Sequence, residues 1–180
     1  MKTMGKLGLT VVPVVGVVAG IALLNHFSVN APVNKRLAES DANSVVSVKA
    51  YHRYGVLPSE LVVDLRQVSG ETAPADAMRV LLWSADALKD KNFDTVILAY
   101  QGTAKLQLKG DYFKQLGEEF KFQNPVYTMR TLPENVYKMD GERAYGSWTG
   151  GMLAVMTKQL EDMHSMMQDW YLRDYVNSAK

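Results

Sequence analysis

The chain starts with a hydrophobic stretch that differs from everything after it. Residues 7–24 (LGLTVVPVVGVVAGIALL) carry no charged side chain. Such a run is near the minimum for a helix across a hydrocarbon core of about 30 Å, where every backbone polar group must bond within its own segment. Lys2 and Lys6 precede the run, as is typical of a signal anchor whose N-terminus stays in the cytoplasm. The pattern predicts a single transmembrane helix, and we assign residues 1–29 to a membrane anchor.

The same segment also fits a cleaved signal peptide, with Val29 and Ala31 as the small residues before the cleavage site. Pro32 would then be the first mature residue, where proline generally impedes cleavage. We therefore expect a retained anchor in the cytoplasmic (inner) membrane, with the rest of the chain on the outer, periplasmic side. Gly16 and Gly20 form a GxxxG pair that lets two such helices approach closely, although glycine is also common in membrane helices without this role.

The remaining chain divides into a tether and one domain. Residues 30–44 are polar, contain a proline and lack an apolar periodicity, so they are predicted to be a tether. Residues 45–180 are predicted to form one soluble domain, since this length is enough for a single core. Their element order predicts an α+β fold, in which a mixed or antiparallel sheet is covered by helices and a long helix ends the chain.

Strands are predicted where β-branched and aromatic residues cluster or where apolar and polar residues alternate. These stretches are residues 45–54, 61–66, 95–100, 105–109 and 126–132. The tight turn Gln101-Gly102-Thr103 makes the third and fourth strands antiparallel neighbours, so the sheet is not all parallel. Helices are predicted where apolar residues recur at spacings of three and four, over residues 74–88, after Asp111, and from Gly151 onward. Residues 133–148 are predicted to be mostly loop.

The last predicted helix carries the longest apolar stripe. Its members alternate between spacings of three and four for nearly three heptads. They are Leu153, Met156, Leu160, Met163, Met167 and Trp170. A helix with such a stripe covers a sheet face or pairs with another helix.

Charge and composition remove several classes of function. The 20 basic and 19 acidic residues are spread without long blocks of either sign. Nothing in this distribution favours contact with phosphates, so we expect no nucleic-acid partner. The absence of cysteine excludes disulfides, thiolate metal sites and cysteine nucleophiles.

A cluster of methionines is the sharpest candidate for chemistry. Met163, Met166 and Met167 lie at positions i, i+3 and i+4 beside His164, and thioethers with an imidazole suit Cu(I). An extracytoplasmic Cu(I) module is therefore an alternative function. Core packing competes with it, because Met163 and Met167 belong to the apolar stripe and methionine fills gaps adaptably.

No catalytic residue and no cofactor is predicted. The chain lacks a GxSxG sequence and the GxxxxGK[ST] order of a phosphate-binding loop, and its three histidines are scattered. A membrane-tethered enzyme of unidentified class is a second alternative, since catalytic triads assemble from distant positions.

The sequence thus favours a membrane-anchored binding or accessory subunit that acts in protein–protein assembly at the outer face of the membrane. Anchoring would hold the domain at high effective concentration near membrane partners. The expected contact surfaces are the face of Gly16 and Gly20 and the C-terminal helix, with Trp148, Trp170 and Tyr171 as anchors. Burial of these aromatics in the core is the competing interpretation.

Overall fold

The fold is a five-stranded sheet covered by helices. A computed structural model describes residues 19–178 of the chain. The strands are β1 (Ser47–Arg53), β2 (Leu57–Gln67), β3 (Thr95–Tyr100), β4 (Thr103–Lys109) and β5 (Val136–Tyr137). They lie side by side in chain order, β2 and β3 pair in parallel, and the other neighbours are antiparallel. The predicted α+β class and the mixed sheet are confirmed.

The helices precede, connect and follow the strands. They are α1 (residues 19–25, the π-helical turn His26–Asn30 and Ala31–Leu37), α2 (Pro74–Leu88), α3 (Gly110–Glu119), α4 (Pro125–Thr131) and α5 (Met152–Met167, the π-helical turn Gln168–Leu172 and Arg173–Ser178). Short 3₁₀ turns occupy Asp41–Val45 and Leu132–Asn135. The long C-terminal helix predicted from the apolar stripe is present as α5.

Helix α2 illustrates why the predicted elements form. Pro74 stands in its first turn, where a missing amide costs nothing. The Asp76 carboxylate accepts a hydrogen bond from the Ala73 amide at 2.8 Å and so satisfies a free donor at the helix start. The apolar positions at helical spacing are buried against the sheet, including Met78 and Leu81. Because α2 connects β2 to its parallel neighbour β3, it packs back over the sheet.

The two faces of the sheet differ in what covers them. Leu61, Val63 and Leu65 of β2 belong to the main core, together with buried side chains from the helices. Val62 and Ile97, on the other face, belong to a small separate cluster to which the described helices contribute no side chain. The helices therefore cover one face, and the second face is shielded by side chains of the strands and of a neighbouring loop.

One predicted strand is wrong. Residues 126–132 were expected to be extended because of their β-branched and aromatic content, but Pro125–Thr131 is helical. The Asn124 side chain accepts a hydrogen bond from the Val126 amide at 2.9 Å and caps the helix, and Pro125 fits its first turn. The start signal outweighs the intrinsic strand preference of the residues that follow.

The predicted tether also differs from the structure. Residues 31–37 are helical, and Val33 and Leu37 are buried in the main core. Together with Val29 they form an apolar stripe at a spacing of four residues, which the polar composition of the segment conceals.

The predicted transmembrane helix lies mostly outside the described residues, because residues 7–18 of the apolar run precede them. In the part of the chain from residue 19 to residue 178, no helix has both the length and the apolar character needed to cross a membrane.

Candidate functional site

Helix α1 lies along the β1 edge of the sheet, where two asparagine side chains bond the strand. The Asn30 Oδ1 accepts a hydrogen bond from the Ala50 amide at 3.0 Å, and the Asn25 Oδ1 accepts one from the His52 amide at 2.6 Å. The Asn25 Nδ2 donates to the Gly55 carbonyl at 2.7 Å. An edge strand has backbone groups without a strand partner, and the two amide side chains take that place. The helix is thereby fastened to the sheet.

Apolar burial adds to this attachment. Val29 and Val33 are completely buried between α1 and the sheet. The Ser28 hydroxyl lies 3.2 Å from the Nε2 of His52 on β1. Burial, and then the positive charge of Lys91, lower the pKa of His52, so its imidazole is neutral at neutral pH. The contact between α1 and β1 is thus built from uncharged groups.

The C-terminal half of α1 is held by a charged group. The Arg36 Nε donates to Asp86 on α2 at 2.6 Å, and the Lys89 Nζ donates to the other carboxylate oxygen at 3.0 Å. Burial alone would raise the pKa of Asp86, but the hydrogen bonds from Lys89 and Arg36 outweigh it and keep the pKa below its ordinary value. The Arg36 guanidinium also lies over the rings of Trp83 and Phe120, at 4.6 Å and 5.4 Å from their centroids.

These two rings border an apolar cleft of about 340 Å³ between α2, α3 and the start of α4. Trp83 and Phe120 meet edge to face, with centroids 5.5 Å apart. The other lining residues are Ala75, Met78, Arg79, Leu82, Leu116, Glu119, Gln123, Pro125, Thr128 and Met129. A cleft of this composition accepts an apolar group more readily than it activates a polar substrate.

The apolar stripe of α5 divides into two halves with different surroundings. Met163, Met167 and Trp170, in the second half, are buried in the main core. The Trp170 indole donates to the Ala99 carbonyl of β3 at 3.0 Å, which fixes this half on the sheet. Leu153 and Leu160, in the first half, are 80% and 54% exposed. Met152 beside them is exposed as well, and we call Met152, Leu153 and Leu160 the exposed stripe.

The residues of the predicted Cu(I) set lie in two different environments. The side chains of Met163, Met166 and Met167 are all buried in the main core. His164 is exposed, and its Nε2 lies 2.8 Å from the side-chain amide of Gln168. Burial of all three thioethers agrees with the core-packing interpretation. Among the described residues there is also no group of three or more histidines, aspartates or glutamates arranged to hold a metal ion.

The predicted aromatic anchors have two different positions. Trp170 and Tyr171 are almost completely buried, so they stabilise the fold and are not available as surface contacts. Burial raises the pKa of Tyr171 to about 12. Trp148 is partly exposed, its indole donates to Asp162 at 2.6 Å, and the Lys158 ammonium lies 5.8 Å from the ring centroid. Of the three, Trp148 is the one that a partner can reach.

The predicted glycine pair falls partly outside the structure. Gly16 lies outside the described residues. Gly20 lies on α1, and a Cβ built there would have no atom of another element within 4 Å among residues 19–178. The α1 face at Gly20 is therefore open.

Sequence reasoning missed the residues that fasten α1. Asn25 and Asn30 bond backbone groups of β1 that are 20 or more residues away, and no local pattern announces such a contact. The buried positions Val29, Val33 and Leu37 did carry a signal, because a spacing of four residues is helical. Arg36 carries no such sequence signal, because its partners lie on α2 and in the segment after α3.

Searches against protein-family models, curated proteins and solved structures found no match.

Proposed function

We propose that this protein is a membrane-anchored binding subunit, in which residues 7–24 cross the inner membrane and the domain contacts a partner protein on the outer side through the exposed stripe of α5. Helix α1 includes residues 19–24 of the apolar run and is fastened to the sheet by Asn25 and Asn30. The anchor therefore sets the orientation of the domain as well as its location.

The observation that carries the binding role is the exposed stripe. Leu153 and Leu160 are one heptad apart on a regular helix and are 80% and 54% exposed. A row of apolar side chains in water is unfavourable and becomes favourable when a partner covers it. The heptad spacing suits an amphipathic helix that lies along α5 with its own apolar residues at i, i+3 or i+4, and i+7.

Anchoring strengthens such a contact. A single helix face gives a modest affinity, but two proteins in one membrane meet at a raised effective concentration. The partner we propose is consequently another protein of the same membrane, with an amphipathic helix on the outer side.

The partner contact is tested by purifying the full chain in mild detergent and identifying what copurifies. We expect one protein to be retained by the wild type and to fall at least tenfold with the double substitution Leu153→Glu and Leu160→Glu. Phe122→Glu is the matched control, because Phe122 is 78% exposed and lies in the segment between α3 and α4. Equal recovery with all three proteins would refute the role of the exposed stripe, and unchanged melting temperatures would show that the variants are folded.

The anchor is tested by carbonate extraction of membranes that contain the full chain. We expect the protein to stay with the membrane. Its side is tested with Phe122→Cys, which introduces a unique thiol because the chain has no cysteine. A membrane-impermeant maleimide should label this thiol in intact cells, and labelling only after lysis would reverse the proposed orientation.

The two alternative functions have weaker support among the described residues. The Cu(I) module would require three core methionines to leave the core, since all three are buried. An enzyme would need polar catalytic groups facing a pocket, and the cleft between α2 and α3 presents mainly apolar side chains.

A further inference from the structure

The turn between β1 and β2 lies beside the last residues of the apolar run. A Cβ built on Gly55 would come within 3.1 Å of the Ile21 Cγ2, and the Gly55 carbonyl accepts a hydrogen bond from Asn25. Asn30, further along α1, bonds Ala50 of β1, so α1 and β1 run in opposite directions. Helix α1 therefore approaches the sheet from the side of this turn. Because Ile21 belongs to residues 7–24, any bilayer that surrounds the end of that run also reaches the turn.

Exposed apolar or aromatic side chains occur in this turn, at the start of β2 and on the part of α1 that follows Ile21. They are Leu24, Phe27, Tyr54, Val56 and Leu57, which we call the tip surface. The Arg53 guanidinium lies 5.0 Å from the centroid of the Tyr54 ring and donates to the Glu60 carboxylate at 2.8 Å. Tyrosine is enriched where a membrane meets water, and arginine at that depth keeps its charge in the polar layer while its stem contacts apolar groups. The tip surface has the composition of an element placed at that boundary.

The backbone of the turn supplies a second, independent observation. Tyr54 and Gly55 have φ values of 53° and 79°, the consecutive positive values of a type I′ turn. Asparagine, aspartate or glycine is favoured at the first of these positions, whereas a bulky side chain with positive φ is strained. Within the fold the Tyr54 ring contacts the Arg53 guanidinium, and 75% of the Tyr54 surface is exposed. Backbone strain of this kind is common at binding and switch sites.

We infer that the tip surface rests in the interfacial layer of the phospholipid bilayer, next to the point where α1 enters it. This inference rests on the anchoring role proposed above for residues 7–24. The hairpin is then a second contact with the membrane, and it prevents the domain from tilting about α1. A protein occupant is less suited to this place, because the tip surface is at the level of residues that the bilayer itself surrounds.

The test uses the full chain with one cysteine, since the natural sequence has none. Tyr54→Cys and Val56→Cys each receive an environment-sensitive fluorophore, and the proteins are reconstituted in vesicles of phosphatidylcholine and phosphatidylglycerol. Val56→Cys keeps Tyr54 in place and guards against an effect of losing that side chain. Phe122→Cys is the control, because Phe122 is as exposed as Tyr54, at 78% against 75%, and lies away from β1 and β2 in the chain.

We expect nitroxides attached near the lipid headgroups to quench the labels at positions 54 and 56, and dissolved iodide to quench them at least threefold less than the label at position 122. Equal iodide quenching at all three positions, in vesicles from which carbonate does not extract the protein, overturns the tip contact and leaves the anchor intact. Protection from iodide without quenching by the lipid-attached nitroxides also overturns it, because a protein then covers the tip. Release of the protein by carbonate rejects the anchor itself.

Discussion

Two turns of the sheet share a pair of positive φ values and have opposite chemistry. In the turn between β1 and β2, Tyr54 and Gly55 have φ values of 53° and 79°. In the turn between β3 and β4, Gln101 and Gly102 have φ values of 48° and 84°. Two consecutive positive φ values are the pattern of a type I′ turn, which suits the natural twist of paired strands, and the first connection contains Val56 as a third residue. The first turn is apolar, exposed and contacted by α1, whereas the second is polar and bonded to the sheet beneath it.

The second turn is held by a buried carboxylate. Asp64 of β2 is 0% exposed, and its Oδ1 accepts a hydrogen bond from the Gly102 amide at 3.1 Å. Its Oδ2 accepts hydrogen bonds from the Tyr51 hydroxyl at 3.2 Å and from Arg66 at 2.8 Å. Burial, and then the charge and hydrogen bond of Asp64, raise the pKa of Tyr51 to about 12. The second turn is thus held by its own sheet, whereas the first is contacted by Asn25 and Ile21 of helix α1.

The largest expected effect comes from removing the carboxylate of the second turn. Asp64→Ala deletes three hydrogen bonds and leaves Arg66 without its partner, so we expect a loss of about 2–4 kcal/mol in the free energy of unfolding. Urea unfolding measures the loss. The pKa of Tyr51 should fall towards its ordinary value of 10.0, which ultraviolet titration follows. Asp64→Asn, which keeps the shape and one acceptor, should lose less, and a loss under about 0.5 kcal/mol for Asp64→Ala would contradict this account.

Alanine at the two turn glycines compares the turns directly. Each substitution should cost about 1–2 kcal/mol, because a Cβ at positive φ is strained. The nearest side-chain atom to the new Cβ is Ile21 Cγ2 at 3.1 Å for Gly55→Ala, and Arg66 Nη1 at 3.7 Å for Gly102→Ala. We therefore expect Gly55→Ala to lose more stability and to raise hydrogen exchange in α1. Equal urea midpoints would mean that Ile21 moves aside without cost.

A smaller effect, of opposite sign, is expected at the first residue of each turn. Tyr54→Asn places a residue that tolerates positive φ and should raise the free energy of unfolding by about 0.5 kcal/mol. Gln101→Asn should give a similar gain or less, because it relieves the same strain in a smaller residue. Thermal denaturation measures both. A lower melting temperature for Tyr54→Asn would show that the tyrosine stabilises the fold, which removes the strain argument for membrane contact.

The smallest expected effect is a change of stability with pH. It involves His52, which lies near the first turn and, among residues 19–178, has no counterpart near the second. The pKa of His52 is lowered in the folded state from 6.5, so the unfolded chain binds more protons below that pH. The stability contributed by neutral His52 is complete above about pH 6.5 and decreases as the pH falls through the window below it. We expect the protection of α1 amides from hydrogen exchange, relative to the intrinsic rate at each pH, to fall on acidification, with less change in β3 and β4. His52→Gln should remove this dependence, and an identical pH profile for the variant would contradict it.

Regular periodicity made much of the sheet predictable. Residues 95–100 and 105–109 alternate or cluster as strands require, and Gln101-Gly102 announces the turn between them. The apolar stripe of residues 74–88 predicted helix α2 for the same reason. Residues 126–132 show where this kind of prediction fails. Asn124 and Pro125 start a helix there, although the later residues prefer strands.

The candidate surfaces were harder to predict, because the exposure of an apolar stripe depends on which other elements pack against it. The stripe from Leu153 to Trp170 is continuous in sequence, but the sheet covers only its second half. Trp170 and Tyr171 were candidates for surface contact on their residue type alone, and the fold buries both. Asn25 acts through bonds to His52 and Gly55, and these become visible only when α1 is placed beside β1.

The position of α1 also bears on aggregation. Strand β1 would otherwise present unpaired amide and carbonyl groups to solvent, and such an edge is a template for a strand of another molecule. A chain shortened to start at residue 45 would keep all five strands and lose Asn25 and Asn30, which bond that edge. It would also uncover Val48 and Ala50, which are buried. Helix α1 thus keeps the sheet of one molecule from pairing with the sheet of another. The fragment without α1 is expected to form intermolecular β-assemblies.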